Sequence, residues 1–530
     1  MEKRIIAVFT AFCLIMGGLC LRLYVLCSCG TELVSSESHY SSFVLYKIRG
    51  NITDCKGRKI TETYYDNYVI AKPSVNSLAA LSDIIDSRTY QTVRKKMSDG
   101  SPVMLNIGKQ ELTSDSDILC VPIYKRYSDY QQAQHMLGYL DETGHGVTGI
   151  EKAFDSILFS DGEVKARVPA DAYGRTISGS EIEITSDSVN VGSVDLTIDL
   201  EIQNVVEAAL DDGKISEGCA IVIDIEDGAV RAAASRPVYN ANRVSDSLSS
   251  SAAPFLNRCF SSFAVGSIFK VAVAAAASER GLDGFECECK GSCNVGGVVF
   301  GCSSNTAHGK VNLKKALEIS CNTYFINLGQ RLGAEAITET AALLGFGQKN
   351  ELADGIISDP GIVPTAEALG NPAALANFSF GQGSFTASPV QIAQMLCAVA
   401  NKGIYFKPYI VKSVRDKDGK ETVFENKYPV VALSEETSRK LTEMLTSVVE
   451  NGNGSPAKPK DFSAAGKTAT AQTGIFDKNG VELCNTWFGG FFPADNPRYA
   501  VVIMKQGGSS GAEDCAPVFK QIADSINFSE

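Results

Sequence analysis

Three short runs in the second half of the chain carry side chains that can do chemistry together: Ser267-Ile268-Phe269-Lys270, Ser320-Cys321-Asn322 and Lys467-Thr468-Ala469. A serine hydroxyl is a poor nucleophile until a neighbouring base takes its proton. If Ser267 opens a helix, Lys270 lies three positions on along the same face and is placed to be that base, while Gly266 lets the backbone turn tightly into the helix. A lysine accepts a proton only when it is neutral, which requires burial or a second cation close by. Each run alone is weak. A Ser-x-x-Lys is expected about once or twice by chance in a chain of this length, and its bland reading is an exposed helix start. Order and spacing add weight, because the gaps leave room for a helical subdomain between the first two runs and a return to a sheet for the third.

The elements around these runs read as α/β from about residue 194 onward. A strand-like LTIDL leads into EIQNVVEAAL, whose apolar positions recur at helical spacing, and CAIVIDI reads as a buried strand before an Asp227-Gly228 turn. Residues 271–278, 313–317 and 389–400 read as helices, 486–492 and 498–504 as a hairpin turned at PADNP, and 516–526 as a closing helix. On a strand carrying Lys467, side chains alternate, so Thr468 and Thr470 share one face and Lys467 takes the other. Between residues 28 and 193 the texture is polar and mixed, with short apolar runs and Gly/Asp turns, and is expected to form an irregular β-rich domain.

At 530 residues, with 44% apolar and 21% charged side chains, the chain is long enough for at least two folded domains and is not extensively disordered. Its 61 acidic residues outnumber 49 basic ones, and no Lys/Arg-rich run stands out, so a nucleic-acid partner is not expected. Residues 5–21 carry no charge, follow Lys3 and Arg4, and continue past Arg22 into a second apolar run. This pattern predicts one membrane-spanning anchor over residues 1–27, N-terminus in the cytoplasm and the rest outside. A cleaved signal peptide is the rival, but no A-x-A-like site follows, and Leu26-Cys27-Ser28-Cys29 is a poor lipoprotein-like match. Of the 16 cysteines, Cys287, Cys289, Cys293 and Cys302 cluster without the paired C-x-x-C of a zinc ribbon. A loop disulfide or free thiols are expected there, and no metal. Thiols kept reduced outside a membrane would imply a cell living without oxygen.

The three runs resemble the S-x-x-K, S-x-N and K-T-G of active-site serine transpeptidases and class A β-lactamases. The flanks resemble class B penicillin-binding proteins in particular: Arg49-Gly50-Asn51-Ile52-Thr53-Asp54 and Gly149-Ile150-Glu151-Lys152-Ala153-Phe154-Asp155 early in the chain, then Leu196-Thr197-Ile198-Asp199, Ser235-Arg236-Pro237, Gly381-Gln382-Gly383 and Trp487-Phe488-Gly489-Gly490-Phe491. The resemblance covers nearly the whole chain. It implies an anchor (1–27), a pedestal domain (28–193) and a transpeptidase domain (194–530) with a mainly antiparallel five-stranded sheet covered by helices. It also implies an acyl-enzyme on Ser267 with D-Ala-D-Ala stem peptides, acylation by β-lactams, no cofactor, and a membrane glycosyltransferase that polymerises lipid II as partner. By the same resemblance Lys467 is the second cation, Ser320 relays a proton to the departing amine, and Asn322 holds Lys270 and the donor's amide. Thr468 and Thr470 meet the substrate carboxylate, and the backbone N–H groups of Ser267 and Thr470 form the oxyanion hole.

Two departures stand out. Ala469 replaces the usual glycine, and its methyl is expected to narrow the gap between strand and nucleophile helix. Ala264-Val265 replaces a proline before Gly266, leaving that turn less pre-set. A β-lactamase or carboxypeptidase fits less well, since the nearest approach to E-x-x-L-N, Glu367-Ala368-Leu369-Gly370-Asn371, has its leucine out of place. A non-catalytic scaffold is the other alternative, favoured only by Ala469. His308 is read as a structural loop histidine, because Lys270 already supplies the base. Gly381-Gln382-Gly383 lacks the spacing and lysine of a nucleotide loop and is read as a cleft-edge turn.

Overall fold

The computed structural model describes residues 2–29, 39–426 and 428–527. The side chains of 26–29 and the stretch 30–38, where the expected pedestal begins, lie outside that set. Helix α1 (Glu2–Cys29) contains a span, Lys3–Val25, of 23 mostly apolar residues with no burial by the rest of the chain. At about 1.5 Å per residue it is long enough to cross the roughly 30 Å hydrocarbon core of a bilayer.

Two compact units follow, and the chain passes between them repeatedly. One takes the chain up to Ile48 with Tyr64–Lys125 and Ser160–Val189; the other takes Arg49–Thr63, Arg126–Phe159 and Asn190–Glu530. The larger unit thus takes in Arg49–Thr63 and Arg126–Phe159 ahead of residue 193. Both early motifs, Arg49 to Asp54 and Gly149 to Asp155, fold into the larger unit. Glu151 is fully buried there, accepting from Arg49 Nε at 2.8 Å, Arg126 Nε at 2.7 Å and the Tyr127 hydroxyl at 2.9 Å, while Arg49 also reaches Asp155 at 2.8 Å. Asn51–Thr53 pairs in parallel with Ser193–Leu196, within a four-stranded sheet completed by Val411–Arg415 and Glu421–Val423.

The smaller unit holds two three-stranded antiparallel sheets, one centred on Tyr64–Ala71 and one on Glu163–Pro169. It is β-rich as expected, but it also carries helices Val75–Ser82 and Ser87–Ser98. The second is capped by Asp86 and buries only Val93 and Met97, a stripe too narrow for a periodicity reading to pick out.

The larger unit is built on an antiparallel five-stranded sheet, as the resemblance implied. Its strands are β1 (Gly218–Asp224), β2 (Val230–Arg236), β3 (Ala465–Phe476), β4 (Glu482–Phe492) and β5 (Tyr499–Gly508), in the spatial order β2-β1-β5-β4-β3. Every residue of β1 is buried, because apolar layers cover both faces of the sheet. On one face lie α2 (Leu200–Asp212), started by Asp199 accepting from Glu201 N, and a closing helix, Ala516–Ser525. On the other are α3 (Lys270–Glu279), α4 (Asn322–Leu332), α5 (Pro389–Ala400) and α6 (Glu435–Asn451). Helix α3 is buried from Lys270 through Ala277, and its run of alanines lets neighbouring elements approach closely.

Candidate functional site

Ser267 stands in a single turn of 3₁₀ helix, Gly266–Phe269, that runs directly into α3. The sequence suggested an α-helical start; the tighter turn, at three residues per turn, aligns positions 267 and 270 more closely. Gly266 has φ +65°, and a Cβ there would lie 2.9 Å from Thr470 O and 3.1 Å from Ala471 Cβ. The Ser267 turn is thus seated against β3 just beyond Lys467-Thr468-Ala469. Gly266 N donates to Gly381 O at 2.9 Å, and a Cβ on Gly381 would come within 2.0 Å of Gly266 O. The Gly381-Gln382-Gly383 turn therefore serves as a backbone brace for Ser267. Ahead of the turn, Phe263–Ala264 pairs with Thr386–Ala387, and Trp487 Nε1 donates to Ala264 O at 3.0 Å. These bonds fix the approach that a proline would otherwise pre-set.

Lys270 is fully buried, and its Nζ donates to Ser320 O at 2.8 Å and Asn322 Oδ1 at 2.7 Å, with Ser320 Oγ at 3.2 Å. Burial pulls its pKa down to about 7. A neutral amine keeps two N–H donors for the two closest acceptors and leaves its lone pair available. Ser320 is in the left-handed region at φ +55°, which orients its carbonyl and hydroxyl toward the same lysine. Asn322 opens α4 and donates through Nδ2 to Gly301 O at 3.0 Å.

Lys467 is also fully buried, on β3 at the sheet edge, and its Nζ donates to Thr468 O at 3.0 Å. Its pKa lies well below the ordinary lysine value, through burial first and the Lys270 charge second. Burial is the first cause at both lysines, and repulsion between the two amines adds to it. Strand alternation holds in part. Thr470 is exposed and accepts from Gly511 N at 3.4 Å, whereas Thr468 is 8% exposed. Ala469 is 3% exposed and its methyl joins the apolar cluster containing Ile268 and Trp487, so it fills core space.

The structure thus brings Lys270, Ser320 and Asn322 into direct contact and sets the Ser267 turn against β3. Glu367, the nearest analogue of a deacylating glutamate, is exposed. Sequence reasoning missed Cys321, flanked by Ser320 and Asn322: its thiol lies 3.7 Å from that of Cys302. All 14 cysteines with described side chains are free thiols, and Cys289 and Cys302 group with Cys321 and His308 rather than with Cys287 and Cys293.

Residues 218–524 match the family described as penicillin binding protein transpeptidase domain. The chain is 28% identical over 488 residues to Stage V sporulation protein D of Bacillus subtilis, covering 86% of this chain and 73% of that protein. It is 26% identical over 417 residues to the peptidoglycan D,D-transpeptidase FtsI of Escherichia coli K12, covering 76% of this chain and 66% of the relative. Its fold is shared with penicillin-binding protein 3 of Mycobacterium tuberculosis, solved in complex with aztreonam, at a TM-score of 0.66 and 22% identity over 91% of this chain and 96% of that one. With more than half its length matched and its five-stranded sheet in place, the chain belongs to the penicillin-binding protein transpeptidase family.

Proposed function

We propose that this chain is a membrane-anchored serine D,D-transpeptidase that cross-links peptidoglycan stem peptides through an acyl-enzyme on Ser267. The observation that carries the reading is Lys270: a buried amine, brought to a pKa of about 7, bonded to Ser320 and Asn322 and one 3₁₀ turn from Ser267. Neutral Lys270 takes the Ser267 proton as Oγ attacks the carbonyl of the penultimate D-alanine. The amide C–N bond breaks, and Ser320 relays a proton to the departing D-alanine amine. An amine of a neighbouring stem then attacks the ester, the new amide forms, and Ser267 Oγ recovers a proton. Asn322 holds Lys270 and the donor amide; Thr468 and Thr470 meet the terminal carboxylate, with Lys467 as the second buried cation. Backbone N–H groups of Ser267 and Thr470 stabilise the oxyanion, a type of donor whose loss typically costs about 10²- to 10³-fold in rate. A β-lactam would follow the same acylation path and remain attached.

Helix α1, with its basic N-terminal flank, would hold the catalytic unit outside the cell membrane, with the smaller unit as pedestal and a lipid-II-polymerising glycosyltransferase as partner. The test is turnover. The purified full chain in detergent, given a D-Ala-D-Ala stem peptide donor and an amine acceptor, should release D-alanine and form the cross-linked amide, and Ser267→Ala should do neither. Release of D-alanine with transfer only to water would favour a carboxypeptidase, and no release would favour the scaffold.

A further inference from the structure

We infer that Cys289, Cys302, His308 and Cys321 bind one zinc ion in a closed Cys₃His site that anchors the Ser320-Cys321-Asn322 loop. The four ligand atoms all lie within 4.8 Å of one another. Cys302 Sγ is 3.6 Å from Cys289 Sγ and 3.7 Å from Cys321 Sγ, and Cys289 Sγ is 3.2 Å from His308 Nδ1. Tetrahedral zinc, with Zn–S of about 2.3 Å and Zn–N of about 2.0–2.1 Å, sets sulfur atoms about 3.8 Å apart and sulfur from nitrogen about 3.6 Å apart. The two sulfur–sulfur separations match that tetrahedron, the sulfur–nitrogen one is about 0.4 Å shorter, and the sulfur–sulfur distances are far from the roughly 2.0 Å of a disulfide bond.

The donor set selects the metal class. Three thiolates and one imidazole suit a soft or borderline tetrahedral ion, and four protein ligands leave no open position, which marks a structural zinc site. Cys289, Cys302 and Cys321 are 1%, 5% and 0% exposed and His308 is half-buried, so the three sulfur ligands are shielded from solvent. Thr323 N donates to Cys302 Sγ at 3.5 Å, and Thr323 Oγ1 lies 3.3 Å from Cys321 Sγ and 3.5 Å from Cys302 Sγ. Such outer donors stabilise thiolate charge, as does the start of α4, for which Cys321 is the N-cap.

The local fold needs such an anchor. Residues 286–312 form two small hairpin ladders, Glu286–Cys289 with Gly309–Asn312 and Ser292–Val295 with Val298–Gly301. Among their described side chains only Cys289, Phe300, Cys302 and Val311 are buried, too little apolar surface to fix a segment of this length. Metal binding supplies folding energy where a core cannot. The thiols give up their protons on binding, and the ion does no redox chemistry. The backbone already converges: Cys302 N donates to Gly291 O at 2.9 Å and His308 N to Cys289 O at 3.1 Å.

Through Cys321 the ion would act on the catalytic centre. Ser320 holds a left-handed φ of +55°, a strained conformation for a non-glycine residue that persists only when its surroundings impose it. Fixing Cys321 fixes its neighbours Ser320 and Asn322, and Asn322 is tied again to Gly301 O, beside Cys302. This positioning consequence rests on the function proposed above; the metal site does not.

The full-length protein in detergent, reduced and stripped of metal, would be titrated with zinc and, separately, with cobalt. We expect one zinc per chain by elemental analysis, and for cobalt the intense visible bands of a tetrahedral thiolate complex. Removing zinc should slow penicillin acylation at least tenfold, with recovery on adding it back. Cys302→Ser and His308→Ala should lose or weaken zinc binding, while Cys120→Ser should keep it. Failure of reduced wild type to take up stoichiometric zinc, octahedral cobalt spectra, or a Cys302–Cys321 disulfide in metal-free protein as isolated would overturn the site. Stoichiometric zinc with an acylation rate indifferent to its removal would leave the site and overturn its positioning role. Zinc-loaded protein that never acylates would instead count against the proposed function.

Discussion

With Lys270 as the proposed base, its protonation sets how fast Ser267 is acylated, and a pKa brought down to about 7 by burial sets the size of the effect. An exposed lysine with a pKa near 10.5 would be neutral in only about one molecule in 3,000 at pH 7. Burial brings Lys270 to about 7, so about half the molecules carry the base in its competent form, a gain of about 10³-fold. The second-order rate of acylation by a fluorescent penicillin reports the free enzyme, so between about pH 5 and 9 it should rise with a slope of one and level off above a midpoint near 7. Lys270→Ala should remove that limb and lower the plateau by about 10³-fold or more. The same group makes stability depend on pH in a known direction. Its folded pKa, about 7, lies below the unfolded 10.5, so between those values the unfolded chain binds more protons. Stability should therefore rise as pH increases through that window, by up to about 5 kcal/mol, with the full penalty present below about 7. Lys270→Met, similar in volume and uncharged, should lose this part of the slope in urea unfolding while abolishing acylation. A flat or falling acylation profile across pH 7, or a Lys270→Ala protein that acylates at the wild-type rate, would refute the base assignment.

Ala469→Gly should change penicillin acylation by no more than about tenfold, equivalent to about 1.4 kcal/mol, because the methyl fills core space. It should also lower stability by about 1–2 kcal/mol, through the lost methyl burial and added backbone freedom, as read by thermal unfolding. Inert wild type beside an active Ala469→Gly would hand the case to the scaffold. Glu151→Ala strands Arg49 and Arg126 and should cost about 3–5 kcal/mol in urea unfolding; a change below 1 kcal/mol would show that water already screens the cluster. The chain should stay with membranes after carbonate extraction, since Lys3–Val25 is long and apolar enough to span them; release to the soluble fraction would count against the anchor.

Much of the candidate site was legible because its parts are local. The Ser-x-x-Lys spacing reports a turn, and Ser388 with Pro389 and Gln391 marks the start of α5 so strongly that its bounds could be read from sequence. Three strands of the five-stranded sheet, β1, β4 and β5, were visible as apolar runs for the same reason, whereas β2 was not read. What the sequence concealed depends on long-range partners. Nothing near Arg49 announces that it pairs with Glu151, and that buried pair carries the early motifs into the catalytic unit rather than the smaller one. The cysteine grouping failed likewise: neighbours in sequence, Cys287 and Cys293, stay partly exposed, while Cys302 finds Cys321 across 19 residues and an intervening strand. The 3₁₀ turn at Ser267 was not readable either, because it is imposed by the close approach of Gly381 and β3.

The central claim is that Ser267 is the nucleophile, and peptide mass mapping after exposure of the full chain to a penicillin tests it most directly. The account predicts a stable adduct of one penicilloyl group on Ser267, in the tryptic peptide Cys259–Lys270, and no labelling of Ser267→Ala. An adduct on any other residue, or undiminished labelling of Ser267→Ala, would contradict it.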